Sequence, residues 1–272
     1  MSPAPFMDAA QVAAALGRVG IAPGDKVMLH VDALAAAQFP PMPQEDRLDA
    51  LIDALEAALG PEGTLVMPTF TYSFTRGEVY DPLVSPSQVG LVTERFRRRP
   101  GVLRSADPLF SVAAKGPQAA LLTQADPGQC FGPDSFFARL YGLGGKIACL
   151  GCTLQVVTFL HYVERCHGVG YRFDKEFSGQ VAGPQGLAPA RVVYFARDLE
   201  RDSESVLAPL HQRLEAAGLL GRTSLGRVGL ICVTCHDFFD QARALLDERP
   251  LALIKEGQAA PPAGGPGGEA RP

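Results

Sequence analysis

The sequence predicts one α/β domain with a central mixed sheet flanked by helices. Three observations lead there. Helical and strand-like segments interleave along the 272 residues without any shift of composition that would mark a second domain. Hydrophobic residues make up 47% of the chain and charged residues 20%, enough apolar material for a sizeable core. Leu48, Leu51, Ile52, Leu55 and Leu59 fall on one face of a 3.6-residue period, while Lys146–Leu150 (KIACL) reads as a short buried strand.

The elements follow in order. Residues 8–18 are Ala-rich and break at Gly20, a short helix. Lys26–His30 (KVMLH) is a strand entering a loop whose Pro40, Pro41 and Pro43 exclude a helix interior. The helix carrying Leu48–Leu59 keeps Asp49, Asp53 and Glu56 off its apolar stripe and stops at Gly60-Pro61. Thr64–Phe70 (TLVMPTF) is strand-like, and Pro68 puts its end at a sheet margin or a loop. Ser87 is the expected N-cap of a helix running to about Arg99. Residues 104–116 mix polar and apolar side chains after a Pro-Gly turn. Val156–Cys166, Leu207–Ala217 and Phe238–Leu246 have helical spacing; Arg191–Phe195 and Val228–Val233 are strands. The domain is expected over 1–255, with 256–272, dominated by Gly, Pro and Ala, as a disordered tail.

The net charge is −4, from 25 Lys+Arg against 29 Asp+Glu, so no basic excess points to nucleic acid. No apolar run approaches the ~18 residues that span a bilayer. The first basic residue, Arg18, follows the N-terminal apolar stretch instead of preceding it, the reverse of a secretory signal. Six cysteines in a chain of this length then read as reduced thiols, and the expected location is the cytoplasm.

Cys149-Leu-Gly-Cys152 and Cys232-Val-Thr-Cys235 have the spacing of a four-thiolate zinc site, and Cys235-His236 completes a haem-attachment pattern. Both pairs sit in or at the end of strand-like runs, where residues i and i+3 face opposite ways, so structural cysteines are expected and no metal. His161 and Glu164 lie three apart in TFLHYVE, on one face of a helix. A carboxylate there fixes the imidazole tautomer and raises its basicity, which suits a general base; a surface pair or a satisfied core histidine has the same spacing. Arg104 and Ser105, with Asp107 and Ser111, form a polar cluster able to grip a phosphate or a carbonyl, or a solvated turn. Asp81-Pro82, flanked by Tyr72, Phe74 and Tyr80, reads either as the lining of a polyhydroxylated ligand site or as a plain turn. Gly142, Gly144 and Gly145 precede a strand, so they are no dinucleotide fingerprint.

Taken in order, these pieces resemble the aminoglycoside 3-N-acetyltransferase family, whose fold differs from the common GNAT acetyltransferases. The matching stretches are GDKVMLHVDAL (24–34), GPEGTLVMPTFTYSF (60–74), YDPLVSPSQVGLVTERFRRRPGVLRSADPLFSVAAKG (80–116) and GPDSFFARLYGLGGKIACLGCTLQVVTFLHYVE (132–164). The resemblance implies acetyl transfer from acetyl-CoA to an amino group; with no evident exposed nucleophile, direct transfer is expected, and no metal is required. It makes His161 the active-site base and Glu164 its acidic partner. It puts Arg104, Ser105, Ser111, Ser135, and His30 and Asp32 after the first strand, on the coenzyme side. Tyr72, Asp81, Asp107 and Arg172 are then expected on the acceptor side.

Three departures stand out. The family's Arg-Ser-x-His-Pro reads Arg104-Ser105-Ala106-Asp107-Pro108, its His-Ser-Ser reads His30-Val31-Asp32, and Arg165–Phe177 has no match to the resistance members. That last segment carries Arg165, His167, Arg172 and Lys175, a cluster expected to repel polycations and favour an acidic or phosphate-bearing amino sugar. The partners expected are coenzyme A and a small-molecule amine, with no nucleic acid or membrane; a homodimer is compatible. The rivals are an aminoglycoside resistance enzyme, a non-catalytic homologue that binds coenzyme A or a sugar, and a serine hydrolase. Retention of His161 and Glu164 argues against the second, and the lack of a G-x-S-x-G elbow against the third.

Overall fold

In a computed structural model the described residues are 6–126 and 128–258. A seven-stranded mixed sheet runs in the order β3 (Leu103–Arg104), β4 (Val112–Lys115), β2 (Thr64–Pro68), β1 (Lys26–Val31), β5 (Lys146–Leu150), β9 (Val228–Thr234), β8 (Gly221–Leu225). The central trio β2-β1-β5 is parallel and every other pairing in the sheet is antiparallel. Both faces of the trio are covered, which is why KVMLHV and KIACL are nearly unbroken apolar runs.

Side-chain alternation along the strands builds two cores. Val27, Leu29, Leu65, Met67, Ala148 and Leu150 pack against α1 (Ala9–Arg18), α2 (Gln44–Leu59) and α3 (Leu91–Arg97). Met28, Val66, Ile147, Cys149, Ile231 and Val233 pack on the other face against α4 (Ala119–Thr123), α5 (Phe136–Gly142), α6 (Leu160–His167), α7 (Ala208–Ala216) and α8 (Cys235–Glu248). The Leu48–Leu59 stripe is buried as its spacing predicts. A separate ribbon, β6 (Arg172–Gly183) with β7 (Gly186–Arg197), pairs in register from Arg172↔Arg197 to Gly183↔Gly186.

Some boundaries differ from expectation. Gly90, not Ser87, precedes α3; the Ser87 amide instead donates to Glu94 Oε2 (2.6 Å). The helix expected over 156–166 is a 3₁₀ turn at Leu154–Val156 followed by α6. The mixed run 104–116 holds one residue of β3, a turn and β4. Lys255–Gln258 form a 3₁₀ turn, with Glu256 ion-paired to Arg201; the rest of the expected tail, 259–272, lies outside the described residues. Among the described residues no helix is long and apolar enough to cross a membrane.

The topology fixes where a ligand can enter. The chain leaves β1 through α2 on one face, and it approaches β5 through α4 and α5 on the other. In an open α/β sheet the carboxyl ends of strands at such a switch point border a crevice.

Candidate active site

The crevice is present. A cavity of about 340 Å³ is lined by His30 and Asp32 at the end of β1, Phe70 and Tyr72 beyond β2, Cys152 beyond β5, and Thr158 just before α6. His30 is 5% exposed and its Nε2 is buried without a partner. Burial pulls its pKa down to about 4, so the ring is neutral. Tyr72 has φ +53, the single non-glycine residue with positive φ among the described residues, and this left-handed turn sets its ring at the cavity wall. Asp32 Oδ1 accepts from the Leu34 amide (2.7 Å) and holds the loop after β1.

The thiols depart from expectation at one pair. Gly151 (φ +76) turns the chain after β5, so the side chains of Cys149 and Cys152 meet instead of facing opposite ways. Cys232 and Cys235 do separate, into the two different cores. Among the described residues no group of three or more His, Cys, Asp or Glu side chains converges as a metal site needs.

The His161–Glu164 spacing produces a real contact. His161 Nδ1 lies 2.8 Å from Glu164 Oε2 on α6. The imidazole side chain is 18% exposed and packs edge-on against Phe131, with ring centroids 5.3 Å apart; the carboxylate is fully buried. Glu164 has two further partners. Tyr171 donates from its hydroxyl to Oε1 (3.0 Å), and Arg172 Nε lies 2.6 Å from Oε2. That Nε contact is off the N–H axis, so it is ionic in character more than a well-aligned hydrogen bond. Despite its burial, Glu164 is held below the usual carboxylate range by His161, Arg172 and Tyr171. The expectation that Glu164 makes His161 more basic is reversed in sum: burial and the Arg172 charge lower the pKa of His161 by more than Glu164 raises it. The ring is therefore neutral at neutral pH.

The other expected site residues are mostly turned inward. Every guanidinium nitrogen of Arg104 is bonded within the protein: Nε to Thr69 Oγ1 (3.1 Å), Nη2 to the Thr69 carbonyl (2.7 Å) and Nη1 to the carbonyls of Ser85 (2.5 Å) and Pro82 (3.2 Å). It braces two loops, and of its five N–H groups one, on Nη2, is left over. Ser105 Oγ accepts from the Val112 amide, Ser111 Oγ donates to the Thr69 carbonyl (2.6 Å), and Ser135 caps α5 by accepting from the Ala138 amide. Asp81 Oδ1 accepts from Leu83 and Val84 amides, the plain turn reading. Asp107 Oδ1 accepts from the Leu109 and Phe110 amides (2.8 Å each), and burial pushes its carboxyl up to about 6. Arg172, expected to meet substrate, is 1% exposed and faces Glu164. Three members of the expected basic cluster are dispersed into pairs, Arg165 with Asp174, His167 with Asp247 and Arg172 with Glu164, while Lys175 is exposed over the Phe177 ring.

Sequence reading missed Tyr171, Cys152 and Thr158. Gly168 takes the left-handed conformation (φ +79) that ends α6 and returns the chain so that Tyr171 reaches Glu164. A glycine four residues past the acid was the available signal. A chain of aromatic contacts, edge-to-face at His161–Phe131 and Phe110–Tyr72 and tilted at Phe131–Phe110, then joins His161 to the cavity.

Known proteins carry the same architecture. The family model described as aminoglycoside 3-N-acetyltransferase matches residues 28–247. The aminoglycoside N(3)-acetyltransferase IV of Salmonella sp is 38% identical over 165 residues, 60% of either chain. The type VIII enzyme of Streptomyces fradiae is 35% identical over 179 residues, covering 58% of this chain and 61% of that one. The aligned stretch thus spans about three fifths of these relatives. The crystal structure of aminoglycoside acetyltransferase AAC(3)-IVa, as apoenzyme, superposes with a TM-score of 0.76 at 28% identity, over 95% of this chain and 98% of that one. A histidine-to-alanine mutant of AAC(3)-IVa in complex with a gentamicin gives the same TM-score and identity, over 95% of each chain. AAC-IIIb, solved with CoASH, shares the fold at TM-score 0.78 and 24% identity, over 90% of this chain and 98% of that one. With the model matched across four fifths of its length, sheet and crevice included, the chain belongs to the aminoglycoside 3-N-acetyltransferase family.

Proposed function

We propose that this chain is a cytoplasmic acetyl-CoA-dependent N-acetyltransferase that acts on an amino group of an amino sugar, an aminoglycoside being the acceptor best supported. The relatives are named for that activity, and one structural relative was solved with a gentamicin. With Arg165, His167 and Arg172 each facing a carboxylate and only Lys175 left over, the case for an acidic or phosphate-bearing acceptor weakens. The observation that carries the reading is a neutral, partly exposed imidazole whose Nδ1 is fixed by a buried carboxylate.

The crevice suits the donor. Its volume, its apolar wall and the unpartnered His30 Nε2 fit a thioester-bearing arm better than a metal or a nucleotide phosphate. His30, Asp32, Tyr72 and Thr158 would hold it. Acetyl-CoA, when bound, supplies an activated acetyl group. With Nδ1 engaged by Glu164, Nε2 is the nitrogen left to take the proton that the acceptor amine releases. Glu164 fixes the ring and balances the charge that develops on it.

His161→Ala should lower kcat/KM by roughly 10²–10⁴-fold, the contribution of a positioned base. Release of CoA thiol with gentamicin-type drugs and with amino-sugar nucleotides, both substrates varied, reads it, and direct transfer gives intersecting double-reciprocal lines. Near wild-type turnover of His161→Ala with unchanged thermal unfolding overturns the assignment, and so does an acetyl group found covalently on the enzyme after acetyl-CoA alone.

A further inference from the structure

We propose that Arg172 is a positioning residue of this reaction: from the base of the β6–β7 ribbon it clamps the Glu164 carboxylate against His161 and opposes a positive charge on the imidazole. The inference rests on the proposed role of His161 as base.

A fully buried carboxylate requires a cation. Two groups stand within reach of the same oxygen, Oε2: His161 Nδ1 at 2.8 Å and Arg172 Nε at 2.6 Å. Arginine is charged at every accessible pH, so it neutralises Glu164 permanently. His161 can then face Glu164 as a neutral donor. Without Arg172, the imidazolium would be the only cation beside the carboxylate, and a base that already holds a proton cannot accept one.

Arg172 is fixed in that task. Its Nη1 donates to the Phe195 carbonyl (3.3 Å) and its Nη2 to Ser205 Oγ (3.1 Å), and its side chain is 1% exposed. It therefore cannot swing out to grip substrate. The other ionisable groups around the pair do not supply the charge. Tyr171, ahead of β6, Tyr194 on β7 and Cys130 in the preceding loop are all pushed up by burial and stay neutral. Asp107, whose charge acts on Cys130, is an acid and adds no positive charge. On α6 itself, Arg165 is held by Asp174 and His167 by Asp247. Arg172 is also the charge that lowers the His161 pKa.

The test compares wild type, Arg172→Met and Arg172→Lys by kcat/KM against pH and by NMR titration of the His161 ring, assigned with His161→Asn among the five histidines. In Arg172→Met the acid limb and the NMR midpoint should both move to higher pH. Turnover lost at neutral pH should return as pH rises, with the acceptor KM little changed; a merely structural role gives no such recovery. Arg172→Lys should restore most of the profile. An acid limb and midpoint that stay at the wild-type pH in folded Arg172→Met overturn the proposal. If Arg172→Met does not fold, Glu164→Gln and Glu164→Gln/Arg172→Met, which strand no carboxylate, replace it: the double variant must titrate at higher pH than the single, and equal midpoints refute the clamp. Should His161→Asn keep turnover, the base assignment fails while the ring titration still judges the clamp.

Discussion

Asp107→Asn should stabilise this protein at alkaline pH, because Asp107 stores a cost there. Its carboxyl, ordinarily at 3.8, is raised to about 6 by burial, against two backbone hydrogen bonds that lower it. A raised acid binds its proton more tightly when folded than unfolded. Its contribution to stability is thus intact below pH ~4 and is lost as pH rises through about 6. At about 1.4 kcal/mol per tenfold change in proton affinity, the gap between 3.8 and about 6 amounts to as much as about 3 kcal/mol at pH 8. Asparagine keeps an Oδ1 to accept from the Leu109 and Phe110 amides and carries no charge. The expected gain at pH 8 is about 1–3 kcal/mol, or roughly 2–12 °C in Tm for a chain of this size. Urea unfolding of both proteins from pH 4 to pH 8 gives the difference curve directly. Buried His30, whose depressed pKa makes it lose stability towards acid, contributes equally to both and cancels. Equal stability at pH 8, or a difference that does not grow between pH 4 and 6, refutes the reasoning.

The thiols give a second check. Cys166 is exposed and Cys152 partly so, while Cys130, Cys149, Cys232 and Cys235 are buried with their thiols pushed up, so Ellman's reagent should find Cys166 first, Cys152 more slowly, and the other four only in denaturant; four fast thiols in the native protein contradict the packing. Gly116→Ala should lose at least about 2 kcal/mol in chemical denaturation, since a Cβ there would stand 2.1 Å from the Gly63 carbonyl oxygen at φ +127; a loss under half of that would mean the two chain segments move apart freely.

Legibility followed the range of the interactions. The α2 stripe, β1, β5 and β9 were readable because burial on one or both faces writes itself into local periodicity. The β6–β7 ribbon was mostly missed. Its outer half is exposed, and Gly179, Pro189 and alternating small residues give no apolar rhythm. At the site, His161 and Glu164 were legible because one helix sets their distance. Arg172 was misread because the sequence does not distinguish an arginine that meets a ligand from one that neutralises a buried acid eight residues earlier. The bracing role of Arg104 was hidden the same way: its partners, Thr69, Pro82 and Ser85, are 19 to 35 residues away. Asp107 was seen as a departure from the family pattern, but its burial is a property of the folded chain alone.

The β6–β7 ribbon divides labour along its length. Its base supplies the Tyr171–Arg172 grip on Glu164, and its middle lies on the 72–80 loop, where Gly179 admits the Phe74 ring and Tyr80 pairs with Val181. Its tip, the two-residue turn Pro184-Gln185 between the paired Gly183 and Gly186, is exposed. Residues can be added, removed or exchanged at such a tip without disturbing the base, because a hairpin transmits register only through the pairs that remain. The length and sequence of the far end can therefore drift in a lineage, or be altered in the laboratory, while the near end of the same element keeps its grip on Glu164.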